Sequence, residues 1–186
     1  MKKIIPFCLP LIIFVGSAGL SQAADFETGW EAFQNKDYAT AMSEWKPLAN
    51  KGNLEAQFWV GFLYERGMGV AEDRAAAISW YVTSAAREYA PSQRNLALLE
   101  AGKGNHKKAL KLLTQASENG DHIASWKLAG NYRGTLQGWG VKKNLGEARY
   151  YEKLAAEQGN PGAQRLINAI TPWWKFWAFY GWWRFW

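Results

Sequence analysis

"AMSEWKPLANKGNLEAQ", residues 41–57, returns three more times along the chain, and that recurrence decides the fold. "AISWYVTSAAREYAPSQ" (77–93), "ALKLLTQASENGDHIAS" (109–125) and "ARYYEKLAAEQGNPGAQ" (148–164) align with it, without a gap, over seventeen residues. Every copy begins with Ala and carries an aromatic residue or Leu at its fourth or fifth position. A small residue stands at the ninth position, and in three copies another precedes it. Gly52, Gly120 and Gly159 hold the twelfth position, where the second copy has Glu88. The copies start at 41, 77, 109 and 148, which puts them 36, 32 and 39 residues apart.

Apolar residues at i, i+3, i+4, i+7 and i+8 describe a helix that buries one stripe. The small residues let a neighbouring helix approach closely. Glycine then stops the helix by taking the left-handed conformation that side chains resist. A second helix is expected to start at Asn53, Ser92, Asp121 and Pro161, residues suited to a cap or a first turn. The chain therefore reads as a string of antiparallel helix pairs. Their joined apolar seam runs through Trp45, Val60, Tyr64, Trp80, Leu112, Leu128, Tyr132 and Tyr151.

The turns inside the pairs carry their own signature. "YERGMGVAED" (64–73) and "YRGTLQGWGVKKN" (132–144) share a Tyr and a G-x-G-V turn, with three extra residues around Thr135–Gln137 in the later one. The middle pair shortens this turn to "GKGNH" (102–106). Ala56, Gln57, Gly61, Tyr64, Gly67, Gly69, Val70, Ala77, Trp80, Tyr81 and Ala85 make a pattern that resembles the Sel-one-like (SLR) repeat, a relative of the tetratricopeptide repeat. Ala124, Leu128, Tyr132, Gly138, Gly140, Val141, Ala148, Tyr151, Ala155, Ala156 and Gly159 resemble it again. The opening "FETGWEAFQNKDYATAM" (26–42) is similar to a starting repeat, with Trp30, Phe33 and Tyr38 at its apolar positions. The resemblance covers roughly residues 26–170. It implies an all-α, right-handed solenoid of antiparallel helix pairs, about four pairs and a last helix within 24–170, and a non-enzymatic role in protein–protein interaction.

Both ends of the chain differ from the repeats. Residues 1–23 have two lysines, an apolar run from Ile4 to Val15 and small residues at Ser21 and Ala23, the layout of a secretory signal cut after Ala23, or alternatively after Ala24. A twelve-residue run falls short of the ~20 that a membrane span needs. Cys8, the single cysteine, would leave with this signal, so packing rather than disulfides would hold the mature domain. The expected location is the periplasm or the cell exterior, with possible membrane association.

The other end, "TPWWKFWAFYGWWRFW" (171–186), has ten aromatic residues in sixteen. Trp173, Trp174, Lys175, Trp177, Trp182, Trp183, Arg184 and Trp186 suit a membrane headgroup zone, where a ring is apolar on its body and hydrogen-bonded at its edge. Lys175 and Arg184 are nine residues apart, on opposite sides of a helix or strand, so no simple amphipathic face is available. The alternatives are that this tail caps the last helix pair, or that it mimics the terminus of an outer-membrane barrel strand. Charge is also polarised. Residues 25–102 hold seven Lys/Arg against eleven Asp/Glu, and residues 103–170 hold eleven against five. The basic half lies next to the tail, an arrangement that suits an anionic membrane or an acidic partner. Export argues against nucleic acid.

No catalytic constellation emerges. Gly67-Met68-Gly69 lacks the strand before it and the Gly-Lys after it that a phosphate loop requires, so it reads as a turn. His106 and His122 have no second ligand at i+3 or i+4, so neither a metal nor a cofactor is expected. Relatives proposed to bind β-lactams are rich in disulfides, and this chain departs from them. What a solenoid offers is the continuous surface lined by the first helix of each pair. Its variable positions give the candidate partner-binding residues Trp59, Phe62, Arg94, Asn95, Lys127 and Asn131. The implied partner is an envelope protein, such as the outer domain of a sensor kinase or an export component. The alternative functions are a membrane-active protein working mainly through its tail and a cell-wall or β-lactam hydrolase, for which no supporting residues are found.

Overall fold

The computed structural model describes residues 25–134 and 139–170. Residues 1–24, which include the expected signal, the extra turn residues Thr135–Gln137 with Gly138, and the tail 171–186 lie outside the described residues. Nine helices follow one another among the described residues. They are α1 (Phe26–Gln34), α2 (Tyr38–Asn50), α3 (Leu54–Arg66), α4 (Arg74–Ala85), α5 (Ala90–Gly102), α6 (His106–Glu118), α7 (His122–Arg133), α8 (Leu145–Glu157) and α9 (Pro161–Ile170). Each helix packs on its sequence neighbours, giving four helix pairs and a last first-type helix, stacked as a solenoid.

The repeat register accounts for the core. The leading Ala of each copy (Ala41, Ala77, Ala109, Ala148) is buried. So is the fifth position, filled by Trp45, Tyr81 and Leu113 in turn. In the fourth copy Glu152 takes that buried slot, and the Arg133 guanidinium neutralises it. Trp45, Val60, Tyr64 and Trp80 of the expected seam meet in one apolar cluster, and Leu112, Leu128, Tyr132 and Tyr151 in another.

Helix ends follow from local chemistry. Asp25, Asp37, Asn53, Asp73, Asp121 and Asn144 each accept a first-turn backbone N–H, satisfying donors that the helix itself leaves open. One start differs from expectation. α5 begins at Ala90 rather than Ser92, because Glu88 adopts φ +64° and Pro91 is preorganised for the first turn. Ser92 lies inside that helix, and its hydroxyl is 2.6 Å from that of Ser84. Gly69 shows why the inner turns need glycine: with φ +70°, an added Cβ would stand 2.6 Å from the Tyr38 carbonyl carbon. That turn is pressed against the start of α2.

The seventeenth position of the register holds neighbouring turns together. Gln57 donates its amide to the Ala49 carbonyl at 3.0 Å, and Gln93 donates to the equivalent Ala85 carbonyl at 3.3 Å. The third copy has Ser125 here, too short to reach. Gln158, the C-terminal cap of α8, supplies the missing amide, donating to the Ser117 carbonyl at 2.7 Å and accepting from the Ser125 hydroxyl at 2.6 Å.

Candidate functional site

The first helices α1, α3 and α5 lie side by side and enclose a groove of about 390 Å³. Its apolar wall consists of Phe33 from α1, Phe58, Trp59 and Phe62 from α3, and Leu98 from α5. Helical spacing explains the alignment. Phe58 and Phe62 are one turn apart on α3, as Asn95 and Leu98 are on α5.

Trp59 is built into this wall. Its ring lies 5.2 Å from Trp30, 5.1 Å from Phe33, 5.5 Å from Trp45 and 5.6 Å from Phe62, all centroid distances. Such stacked, tilted and edge-on contacts are favoured aromatic geometries, so Trp59 stiffens the groove more than it projects from it. Phe62 stands nearer the rim, with the Arg66 guanidinium 5.6 Å above its ring. Leu98 is 37% exposed, the most accessible apolar side chain of this wall.

A fixed polar chain closes one end. The Asn95 amide donates to the Tyr81 hydroxyl at 3.1 Å, and that hydroxyl donates to Glu65 at 2.8 Å. Burial pushes the Tyr81 phenol well above its usual range, so it stays protonated as the donor to Glu65. Arg94 also borders the groove, but its guanidinium is spent on the buried carboxylate of Asp121, the cap of α7.

Four of the six residues expected from sequence, Trp59, Phe62, Arg94 and Asn95, thus meet at one groove. Lys127 and Asn131 do not join them. Both lie on α7, and Asn131 is 2% exposed, with its amide donating to the Lys127 carbonyl. An inward-turned residue offers no surface to a partner, which corrects the expectation for Asn131. The eight tail residues expected at a membrane interface, from Trp173 to Trp186, lie outside the described residues. The expected set left out Phe33, Phe58, Glu65, Arg66 and Leu98 of this groove. A signal for Phe33 existed, since Trp30-x-x-Phe33 repeats the spacing of Trp59-x-x-Phe62.

A wider concavity of about 660 Å³ opens at the turn from α5 to α6, among Lys107, Lys108 and Lys111. Its buried carboxylate, Glu100, is already served by the Asn105 amide at 2.8 Å and by Lys108 at 3.3 Å. Those bonds satisfy the turn itself. Among the described residues no group of His, Cys, Asp and Glu could hold a metal ion, and no helix is long and apolar enough to cross a membrane.

Comparison with known proteins agrees with this architecture. The Sel1 repeat profile matches residues 54–89, 90–121 and 122–160. A crystal structure of a Sel1 repeat protein from Oxalobacter formigenes superposes with a TM-score of 0.65 at 31% identity, covering 76% of this chain and 57% of that one. Among curated proteins, chitin synthase regulatory factor 3 of Schizosaccharomyces pombe is 34% identical over 81 residues, 44% of this chain and 9% of the relative. DAP3-binding cell death enhancer 1 of Rattus norvegicus is 27% identical over 179 residues, 74% of this chain and 35% of the relative. The chain therefore spans only a minor part of either curated relative. Sel1 repeat proteins are in general non-catalytic scaffolds for protein–protein interaction. With three consecutive matches in register with the helix pairs, this chain belongs to the Sel1 repeat family.

Proposed function

We propose that this protein is an exported interaction scaffold of the cell envelope, non-enzymatic, whose aromatic groove receives an apolar segment of another protein. The observation that carries this reading is the convergence of Phe33, Phe58, Trp59, Phe62 and Leu98 from three successive first helices on one concave surface. A preformed apolar groove with a fixed polar end suits an inserted side-chain anchor, because little ordering remains to be done on binding. The partner is an envelope protein, in the class of a sensor kinase outer domain or an export component. The Trp-rich tail supplies a second contact, to the membrane interface or to a protein surface.

The experiment is capture from crosslinked envelopes with the tagged chain, comparing wild type with Leu98→Glu and with Phe62→Ala. Both changes sit at the rim of the groove, so folding should persist, and a melting curve checks this. Loss of the same partner from both variants is the expected result. A folded pair of variants that retain every partner would remove the groove from the function.

A further inference from the structure

We infer that the groove of one copy is the seat for the Trp-rich segment 171–186 of a second copy, so that the protein associates head to tail. This rests on the reading of the groove as a docking site and names its occupant.

Three observations converge on that occupant. The groove is walled by aromatic rings and holds about 390 Å³, room for an aromatic anchor or two rather than for a folded domain. The sixteen residues that follow α9 include six Trp, so the chain itself carries the side chains such a wall favours. Charge supplies direction. In the groove lining Glu65 faces Arg66, while Arg94 is paired with Asp121, and the exposed surfaces of α1 and α3 around it add Glu27, Glu31 and Glu55. The tail presents Lys175 and Arg184, and the half of the molecule behind it, residues 103–170, has eleven Lys/Arg against five Asp/Glu.

The same charge distribution favours another copy over the chain's own tail. Within one molecule α5 and α7 separate α3 from α9, and a tail folding back would lie along the basic half. Between molecules the acidic half of one meets the basic half and tail of the next. Fully extended, any eight residues span at most ~26 Å at ~3.3 Å each, so a segment of the length of 171–186 is long enough to enter a neighbour's groove without interleaving the two solenoids. The surfaces that meet are different, so the contact is heterologous. Each associated pair keeps one free groove and one free tail, and assembly continues unless a ring closes.

Sedimentation velocity on the chain from Ala24 tests this. Two full-length variants are compared with wild type: Leu98→Glu, which blocks the groove, and one with Trp173, Trp174, Trp177, Trp182, Trp183 and Trp186 all changed to Ser. Wild type should associate in a concentration-dependent way, more weakly at high salt. Each variant alone should associate at least about tenfold more weakly, the scale of losing one buried anchor. Mixed together, the two should form a one-to-one complex, since one retains a tail and the other a groove. Wild type that stays monomeric and instead co-sediments with anionic phosphatidylglycerol vesicles would overturn the inference and give the tail to the membrane. Association that survives Leu98→Glu but not the Trp changes would also overturn it, because the tails would then be joining elsewhere. If Leu98→Glu loses an envelope partner while wild type is monomeric, the groove reading stands and only the self-docking falls. If Leu98→Glu changes neither partner capture nor association, both fall.

Discussion

A single substitution in the third repeat shows how residues on neighbouring helices compensate for one another. Ser125 replaces the glutamine found at Gln57 and Gln93, and Gln158 restores the lost amide-to-carbonyl bond from the C-terminal cap of the following helix. Gln158→Ala should therefore cost about 1 kcal/mol, the net worth of one such bond, since the Ser117 carbonyl keeps the Gly120 N–H. Adding Ser125→Gln should recover most of it, because the new side chain meets the same carbonyl that its counterparts meet. Urea denaturation of the single and double variants measures both steps, and an uncorrected double variant would refute the equivalence. Glu100 makes a second prediction. The Asn105 amide, and then Lys108 and Lys103, hold its carboxyl below the ordinary value of 4.5 against the opposing effect of burial. A carboxylate with a lowered folded pKa stabilises the fold fully above 4.5, and that contribution disappears as pH falls through the folded value. Glu100→Gln should flatten the loss of stability below pH ~4.5 relative to wild type, as read from denaturant midpoints across that range.

Helix packing can be tested through the alanines of the repeat. Ala155 is fully buried where α8 meets its neighbours, whereas Ala85 at the end of α4 is only half-buried. Ala155→Leu should lower stability by ~1–3 kcal/mol through overpacking, and Ala85→Leu by clearly less. Equal melting temperatures for the two variants would place the contact wrongly. The helices were legible in the sequence because burial and turn chemistry repeat in phase: Ala41, Ala77, Ala109 and Ala148 are all buried, and Gly52, Gly120 and Gly159 all take positive φ. The start of α5 was not, since Tyr89 provides no side-chain cap and Glu88 adopts a left-handed conformation that its side chain does not advertise. The site was legible in part. Trp59 and Phe62 stand out as large aromatics at variable positions, and they do line the groove. Which residues are spent on neighbours is a property of three dimensions. Arg94 is committed to Asp121 and Asn131 faces inward, and neither fact can be read from position in the repeat.

Across the whole molecule, the described core is not one continuous mass. Trp45, Val60 and their neighbours pack at the N-terminal end, Leu113 and Leu128 pack with Ala90 and Ala97 of α5, and the cluster around Tyr81 and Leu96 lies between. In a solenoid, stability is roughly the sum of the repeats and the interfaces that join them, so cooperativity depends on those interfaces. The joint between the second and third repeats is partly apolar, through Leu112, which touches both clusters. It is also ionic, through Arg94 and the Asp121 carboxylate, whose side chains are 15% and 5% exposed. Removing one member of a buried pair leaves the other charge without compensation. Arg94→Ala should therefore cost roughly 2–4 kcal/mol, below the upper end for such pairs because Asp121 still accepts the Ala124 N–H. More tellingly, it should loosen the joint itself. Urea unfolding followed by far-UV circular dichroism and by tryptophan emission should give separate transitions in this variant, where wild type gives coincident ones. Restoring neutrality with Arg94→Met and Asp121→Asn, which keeps an oxygen to cap α7, should bring back most of the stability and the single transition. If that double variant stays as unstable as Arg94→Ala, the joint depends on the shape of the arginine and not on its charge.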